Sequence, residues 1–411
     1  MDVPRSLRFK WFMAFAMTLV AMSWTGCGGP TPPVPPKVEL PPAKPDLPPA
    51  KSEDPPKKGP PPLPTQPPEK GPKLPDLPKG VQTPDAETKT VALPGPSRWK
   101  IVATLEQAQR TTSLAFSVDG DLLAASGGGD TEERIKPPPA VRLFKTADWS
   151  KAGDLLGHSE TVVCVLFSLD KKSLLSAGGK LTRDAELKVW DLATLKPVTQ
   201  VRSPGGVIGA MTFDPAGNVL FTGGESREIK LWDFSTGKFA PNAKPFERLV
   251  GHESYITCLA MSPDGKYLAS ASADLSLRLW NVAEGKLRTM LRGQLGQVNS
   301  VAFAPQGDYL ASAANNSEVK IWDVQAVTDN GSLTIMPKRM LLSVAFSPDG
   351  QWLVAGGSDG SVTVWDFPAR KVSETLKEFP DYVNCVLFSP DGKYLAAAGE
   401  DGRVVVWATP K

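Results

Sequence analysis

FSPDGKYL, residues 388–395, fixes the local geometry from which the rest of the chain can be read. Phe388 closes one apolar run and Leu395 opens the next. Between them Pro390 presets φ for a type I turn, and Gly392 takes the left-handed conformation that ends it. The stretch therefore reads strand, tight turn, strand. It recurs in one phase as FSVDGDLL (116–123), FSLDKKSL (167–174), FDPAGNVL (213–220), MSPDGKYL (261–268), FAPQGDYL (303–310) and FSPDGQWL (346–353), seven copies in all. A second mark follows each copy: Trp190–Asp191, Trp232–Asp233, Trp280–Asn281, Trp322–Asp323, Trp365–Asp366 and Trp407–Ala408, with Phe144 holding the place in the first. These positions are 42 to 48 residues apart. In EIKLWD, residues 228–233, Ile229, Leu231 and Asp233 point one way and Lys230 and Trp232 the other, as in a strand.

A third mark is Gly-His, at Gly157–His158 and Gly251–His252, with Gly293–Gln294 as a degenerate copy. Together the three marks resemble the WD40 repeat family over residues 98–411. That resemblance implies an all-β fold, a seven-bladed β-propeller of four-stranded antiparallel blades, with strands a to d running outward from the centre. A single blade cannot bury both faces, so the ring is the folding unit. The last a–b–c set ends at Trp407 without a fourth strand. A spare strand precedes the first set: RWKIVATL, residues 98–105, in which Trp99, Ile101, Ala103 and Leu105 alternate with Lys100, Val102 and Thr104. Residues 99–105 are therefore expected to pair antiparallel with 403–407 and to cover an otherwise open edge.

Of the chain's 41 prolines, 24 lie between Pro30 and Pro96. No packed domain absorbs that density. Residues 27–97 read as a disordered, polyproline-rich tether. Ahead of it, Arg5, Arg8 and Lys10 precede the apolar run WFMAFAMTLVAMS and then WTGCGG, the order of a secretory signal spanning 1–26. Thr25 and Gly26 before Cys27 resemble a bacterial lipoprotein signal, with Trp24 where that family usually carries an aliphatic residue. The resemblance implies a lipid on Cys27, and with it an exported, membrane-anchored protein. Acidic and basic residues nearly balance, at 44 and 46, with no long basic run, so a nucleic-acid partner is not expected.

His252, Ser272, Asp274 and Trp280 bring an imidazole, a hydroxyl and a carboxylate into one repeat, the parts of a catalytic triad. The WD40 resemblance implies instead a buried structural chain from indole to hydroxyl to imidazole to carboxylate. His158, Asp184 and Trp190 make a partial copy, with Gly178 in the hydroxyl's place. The other repeats lack histidine, so their rigidity is expected to come from packing. With both histidines so used, no catalytic residue, metal site or cofactor is expected. Cys164, Cys258 and Cys385 share a column with Ser113, Ala210, Ser300 and Ser343, which reads as small and buried.

Because strands alternate in direction, the d–a and b–c loops share one rim. SGGGDTEERIKPPPA (126–140) and GGKLTRDAE (178–186) lengthen two b–c loops there. The candidate partner-binding rim is Asp130, Glu132, Glu133, Arg134, Arg183, Arg227 and Tyr255. The expected function is a non-catalytic protein–protein interaction scaffold of the bacterial envelope: a monomeric propeller on a lipid-anchored tether. A propeller enzyme using the central channel and a subunit of an outer-membrane assembly machine are the alternatives.

Overall fold

The computed structural model describes residues 97–107, 110–128, 140–179, 184–334 and 339–410. The signal, the tether and Cys27 lie outside the described residues. The regular elements described are all strands, arranged as seven four-stranded antiparallel sheets. Blade four is representative: a Ile256–Met261, b Tyr267–Ser272, c Leu277–Asn281 and d Lys286–Leu291. The FSPDGKYL-like turns join a to b, and the Trp-Asp pairs end strand c, as the repeat predicts.

The a strands contact one another in sequence around the ring, from Thr111–Phe116 of blade one to Val383–Phe388 of blade seven and back. Every a strand carries a bulge at its second residue, for example between Ile256 and Cys258. At four junctions the bulged residue stitches its blade to the next. Thr112 Oγ1 donates to the Val162 carbonyl at 2.6 Å and Thr257 Oγ1 to Val298 at 2.6 Å. Asn299 Nδ2 donates to Leu341 at 2.6 Å and Asn384 Nδ2 to Thr111 at 3.0 Å. The last of these closes blade seven onto blade one.

The core lies between blades. Trp232 of blade three packs in one cluster with Leu175, Leu187 and Val189 of blade two, and Trp365 of blade six with Ala311, Val319 and Ile321 of blade five. The a–b turns form a second ring of contacts. Gly265, at φ +71, lies so close to Pro215 of the preceding blade that a Cβ would fall 2.8 Å from the proline ring. Glycine is thus required there by both backbone and space. In blade two Lys171 occupies the same place at φ 62.

Strand Lys100–Glu106 pairs antiparallel with Arg403–Ala408 and completes blade seven, as the count of strands predicts. The simple alternation does not hold along it. A register shift between Ile101 and Ala103 turns Ile101 and Val102 outward, 47% and 42% exposed, while Trp99 and Leu105 are buried. Blades one, two, four, five and six bear a similar shift between strands c and d beside the Trp-Asp place, so the closing strand behaves as an ordinary d strand. Trp99 wedges between blades six and seven, its ring 5.7 Å from Trp352 and 6.2 Å from Phe388.

Candidate protein-interaction rim

The d–a and b–c loops are bound together by one repeated hydrogen bond. A b–c loop N–H donates to the carbonyl of the residue two before the strand-a bulge. The pairs are Gly179 to Thr161, Glu225 to Val207, Ala273 to Tyr255, Asn315 to Gln297, Ser358 to Met340 and Glu400 to Tyr382. The two loop sets therefore form one rim, and these acceptor residues ring the inner, strand-a side of it. Met340, Tyr382 and Val207 are half-buried there. Arg110 pairs with Glu400 at 3.2 Å, and Glu400 also accepts from Asn384 Nδ2 at 2.9 Å.

In blade four the imidazole network is present with a different hydroxyl. Trp280 Nε1 donates to Ser270 Oγ at 2.8 Å, Ser270 Oγ meets His252 Nε2 at 2.7 Å, and His252 Nδ1 meets Asp274 Oδ2 at 2.8 Å. Every member is satisfied when Nδ1 carries the proton and Ser270 donates to Nε2. Ser272 stands two residues too far along the strand. Its hydroxyl bonds the Tyr255 carbonyl at 3.0 Å and the Ser254 carbonyl at 3.3 Å. The register explains this: Trp280 lies opposite Leu268, and its indole reaches the next same-face residue, Ser270. Burial raises the Asp274 carboxyl, but the bonds from His252, Ser276 and the Glu253 N–H outweigh it and hold the group well below its ordinary range.

Blade two repeats the correction. Ser176 Oγ accepts from Trp190 Nε1 at 2.7 Å and meets His158 Nε2 at 2.6 Å. Gly178 is where it is because a Cβ would lie 2.5 Å from the Thr161 carbonyl. The carboxylate is that of Glu186, whose Oε2 is 3.3 Å from His158 Nδ1, whereas Asp184 is exposed. The His158 hydrogen bond above all, against some burial, holds the Glu186 carboxyl far below its ordinary range. Burial pushes the His158 imidazole below its usual value, only partly offset by Glu186.

Other blades are tied down by means that a search for histidine misses. In blade five Gln294 Nε2 donates to Ser312 Oγ at 2.6 Å, and Trp322 Nε1 donates to the same oxygen at 2.8 Å. An amide there supplies what the imidazole supplies elsewhere. In blade six Arg339 reaches Asp359 at 2.6 Å and also bonds Thr363. A further column, two residues before the Trp place, is basic in blades one to five, with Thr363 and Val405 holding it in blades six and seven. Lys188 bonds the Gly157 carbonyl, Lys230 the Pro204 carbonyl and Ser203 Oγ, and Arg142 donates to the Glu106 carbonyl at 3.0 Å. The alternation of strand c shows this column in the sequence as the Lys and Arg beside the tryptophans.

Cys164, Cys258 and Cys385 are fully buried thiols, none of them in a disulfide, in the a strands of three blades. Burial pushes the Cys258 thiol up to about 11, and Cys164 higher still. Of the rim candidates, Arg227 is exposed and holds a left-handed turn position at φ 62. Tyr255 is half-buried, its hydroxyl 3.4 Å from Gln297 Oε1. Asp130, Glu132, Glu133, Arg134 and Arg183 lie outside the described residues.

The profile of the WD domain, G-beta repeat, matches residues 149–191, 195–233, 243–281, 285–323, 337–366 and 371–408. The first repeat, with Phe144 in place of tryptophan, is outside these matches yet forms a complete blade. The human apoptotic protease-activating factor 1 is 28% identical over 148 residues, 36% of this chain and 11% of its own length. The protein hir1 of Schizosaccharomyces pombe is 31% identical over 182 residues, 39% of this chain and 18% of its own. The guanine nucleotide-binding protein subunit beta of Lymnaea stagnalis is 27% identical over 146 residues, 36% of this chain and 41% of its own. The matched region thus spans less than half the length of each of these relatives. With six matched repeats over more than half of its residues and seven blades closed by its own first strand, the chain belongs to the WD40 repeat family.

Proposed function

We propose that this protein is a non-catalytic interaction scaffold that captures other proteins on the rim of its d–a and b–c loops. The observation that carries the reading is how the reactive groups are used. Both histidines, with Ser270, Ser176, Asp274 and Glu186, are bound to one another and to tryptophans inside the blades. A rigid rim of exposed loop side chains is what remains to meet a partner. One relative is by name a subunit, which fits a propeller that works by holding on to other chains. Family kinship is the weaker support, because the fold alone does not assign a function.

The N-terminal signals give the setting: export, then a lipid on Cys27, with residues 27–97 spacing the propeller from a membrane of the cell envelope. At ~3.1 Å per residue a fully extended segment of that length reaches roughly 200 Å. The test is a cross-linked pull-down of the full chain from its own envelope. A defined protein complex, lost when rim residues Arg227 and Tyr255 are changed to alanine, supports the scaffold. Recovery of substrate-like small molecules alone would count against it. Labelled fatty acid that enters the wild type but not Cys27→Ser supports the anchor, and equal labelling removes it.

A further inference from the structure

The basic column of strand c holds one guanidinium for which the chain supplies no acceptor. Its counterparts are matched. Arg142 pairs with Asp154 at 2.9 Å, Lys188 lies 3.6 Å from Glu186, and Lys320 pairs with Asp329 at 2.6 Å. Lys230 donates to Ser203 Oγ at 3.1 Å and to the Pro204 carbonyl. Arg278 of blade four is only 6% exposed, yet among the described residues nothing accepts a hydrogen bond from it, and its Nε is buried without a partner. An arginine cannot shed its charge, so burial without a counter-ion is costly.

The register shows why the counter-ion is missing. Two residues earlier on strand c, blades two, three and five carry Glu186, Glu228 and Glu318. Blade four carries Ser276, whose hydroxyl is bound to Asp274 at 2.6 Å. On strand d, blade one sets Asp154 opposite Arg142, whereas blade four sets Met290 opposite Arg278. Asp274 does not make up the loss, because its oxygens are taken by His252, Ser276 and the Glu253 N–H. One step past the last ladder pair, Leu277 with Leu291, Arg292 falls opposite Ser276 on the face that carries Arg278, and it is exposed. The d–a loop brings this place to the rim. Gly251 lies so close to Arg278 that a Cβ there would collide with Nη1, and Val250 and Glu253 of the same loop are exposed. Among the described residues Glu253 makes no ion pair with Arg278.

We propose that Arg278, with Arg292 beside it and Gly251 leaving room at the loop, receives the carboxylate of an aspartate or glutamate side chain on a partner protein. The proposal rests on the rim reading above and deepens it to one contact point and one partner chemistry. A carboxylate is the group that meets the same basic position in blades one, two and five, and its two oxygens match the guanidinium fork. In blade four the counter-ion then comes from another chain.

The probe is a displayed library of short random peptides selected on the full chain, with each acidic residue of the enriched peptides then changed to its amide. The expected result is enrichment of peptides with a recurring Asp or Glu, and a loss of roughly ten-fold or more on changing that residue to the amide. Arg278→Met should bind the acid and amide forms equally. This variant loses an unpaired charge only, so it is expected to fold. Met290→Asp copies the Asp154 arrangement and keeps Arg278. It should melt higher than the parent and release the peptide, because the guanidinium is then paired within the blade. Enriched peptides without a recurring acid, an acid–amide difference that survives Arg278→Met, or full binding by a Met290→Asp variant that melts higher would each overturn the proposal. So would inorganic phosphate binding in calorimetry with no acidic peptide enriched, which would make this a site for small anions. If the site fails while the pull-down still yields a complex that depends on Arg227 and Tyr255, the rim reading stands and only this contact is wrong.

Discussion

Replacing Trp99 and Leu105 together by alanine removes the two side chains through which strand Lys100–Glu106 is anchored, 2% and 7% exposed. Trp99 joins a cluster with Trp352, Phe388 and Trp407, and Leu105 one with Leu387, Val404 and Val406. Large-to-alanine changes in cores cost about 2–5 kcal/mol for leucine and 3–5 for tryptophan. An outer strand that can relax belongs at the low end, so the pair is expected to cost about 5 kcal/mol. The two sites are at opposite ends of the strand, in different clusters, so their effects should add. With an unfolding entropy of about 2.1 cal/mol/K per residue, the melting temperature of the propeller falls by about 8 °C. Thermal unfolding followed by circular dichroism reads this directly. The control is Ile101→Ser with Val102→Ser, whose side chains face solvent and whose loss should change stability by less than ~0.5 kcal/mol. A double alanine variant melting with the parent, or a control that falls as far, would show that the clasp is not held by these contacts.

Ser270→Ala leaves Trp280 Nε1 and His252 Nε2 unpaired in a buried site; at about 1–3 kcal/mol for each orphaned group, urea unfolding should show a loss of roughly 2–6 kcal/mol. Alanine fits sterically, as Ala355 and Ala397 hold that place in blades six and seven, so an unchanged midpoint would deny the network any part in stability. Lys171→Gly should stabilise by about 0.5–1 kcal/mol, since it removes a left-handed lysine from a turn where the other blades use glycine, and the ion pair lost with Asp119 is 3.6 Å long and exposed. Stability should also fall on acidification in two windows. His158 is lowered in the fold from 6.5, so the unfolded chain takes up its proton first and stability declines as pH drops below about 6.5. Asp274 and Glu186 are depressed from 3.8 and 4.5, so the stability they supply is present above those values and is lost as pH falls below about 4. Denaturant titrations from pH 7 to pH 3 that give a constant unfolding free energy would contradict both assignments.

The strand order was legible because each blade writes the same constraints into the chain. The a–b turn demands a left-handed residue, and the inter-blade slot takes a tryptophan or, in blade one, Phe144. Counting strands then located the closing strand without any structural knowledge. What escaped the sequence depended on register. Ser270 and Ser272 lie on the same face of one strand, and only the pairing of Leu268 with Trp280 says which hydroxyl the indole reaches. The bulge beside Ile101 reverses the parity on which its expected burial rested. Gln294 reads in the sequence only as a degenerate copy of the Gly-His mark; that its amide N–H donates to the same hydroxyl as the indole depends on its placement beside Ser312.

The pairing of Lys100 with Ala408 also sets a timetable. About 300 residues separate the two halves of blade seven, so at ~5–20 residues per second the first strand waits about 15–60 s for its partner to be synthesised. Until then six sheets can form, but the ring stays open, with the face of blade one that meets blade seven uncovered and the first strand without its partner. The nascent chain is therefore held from its finished state until the final strand is available.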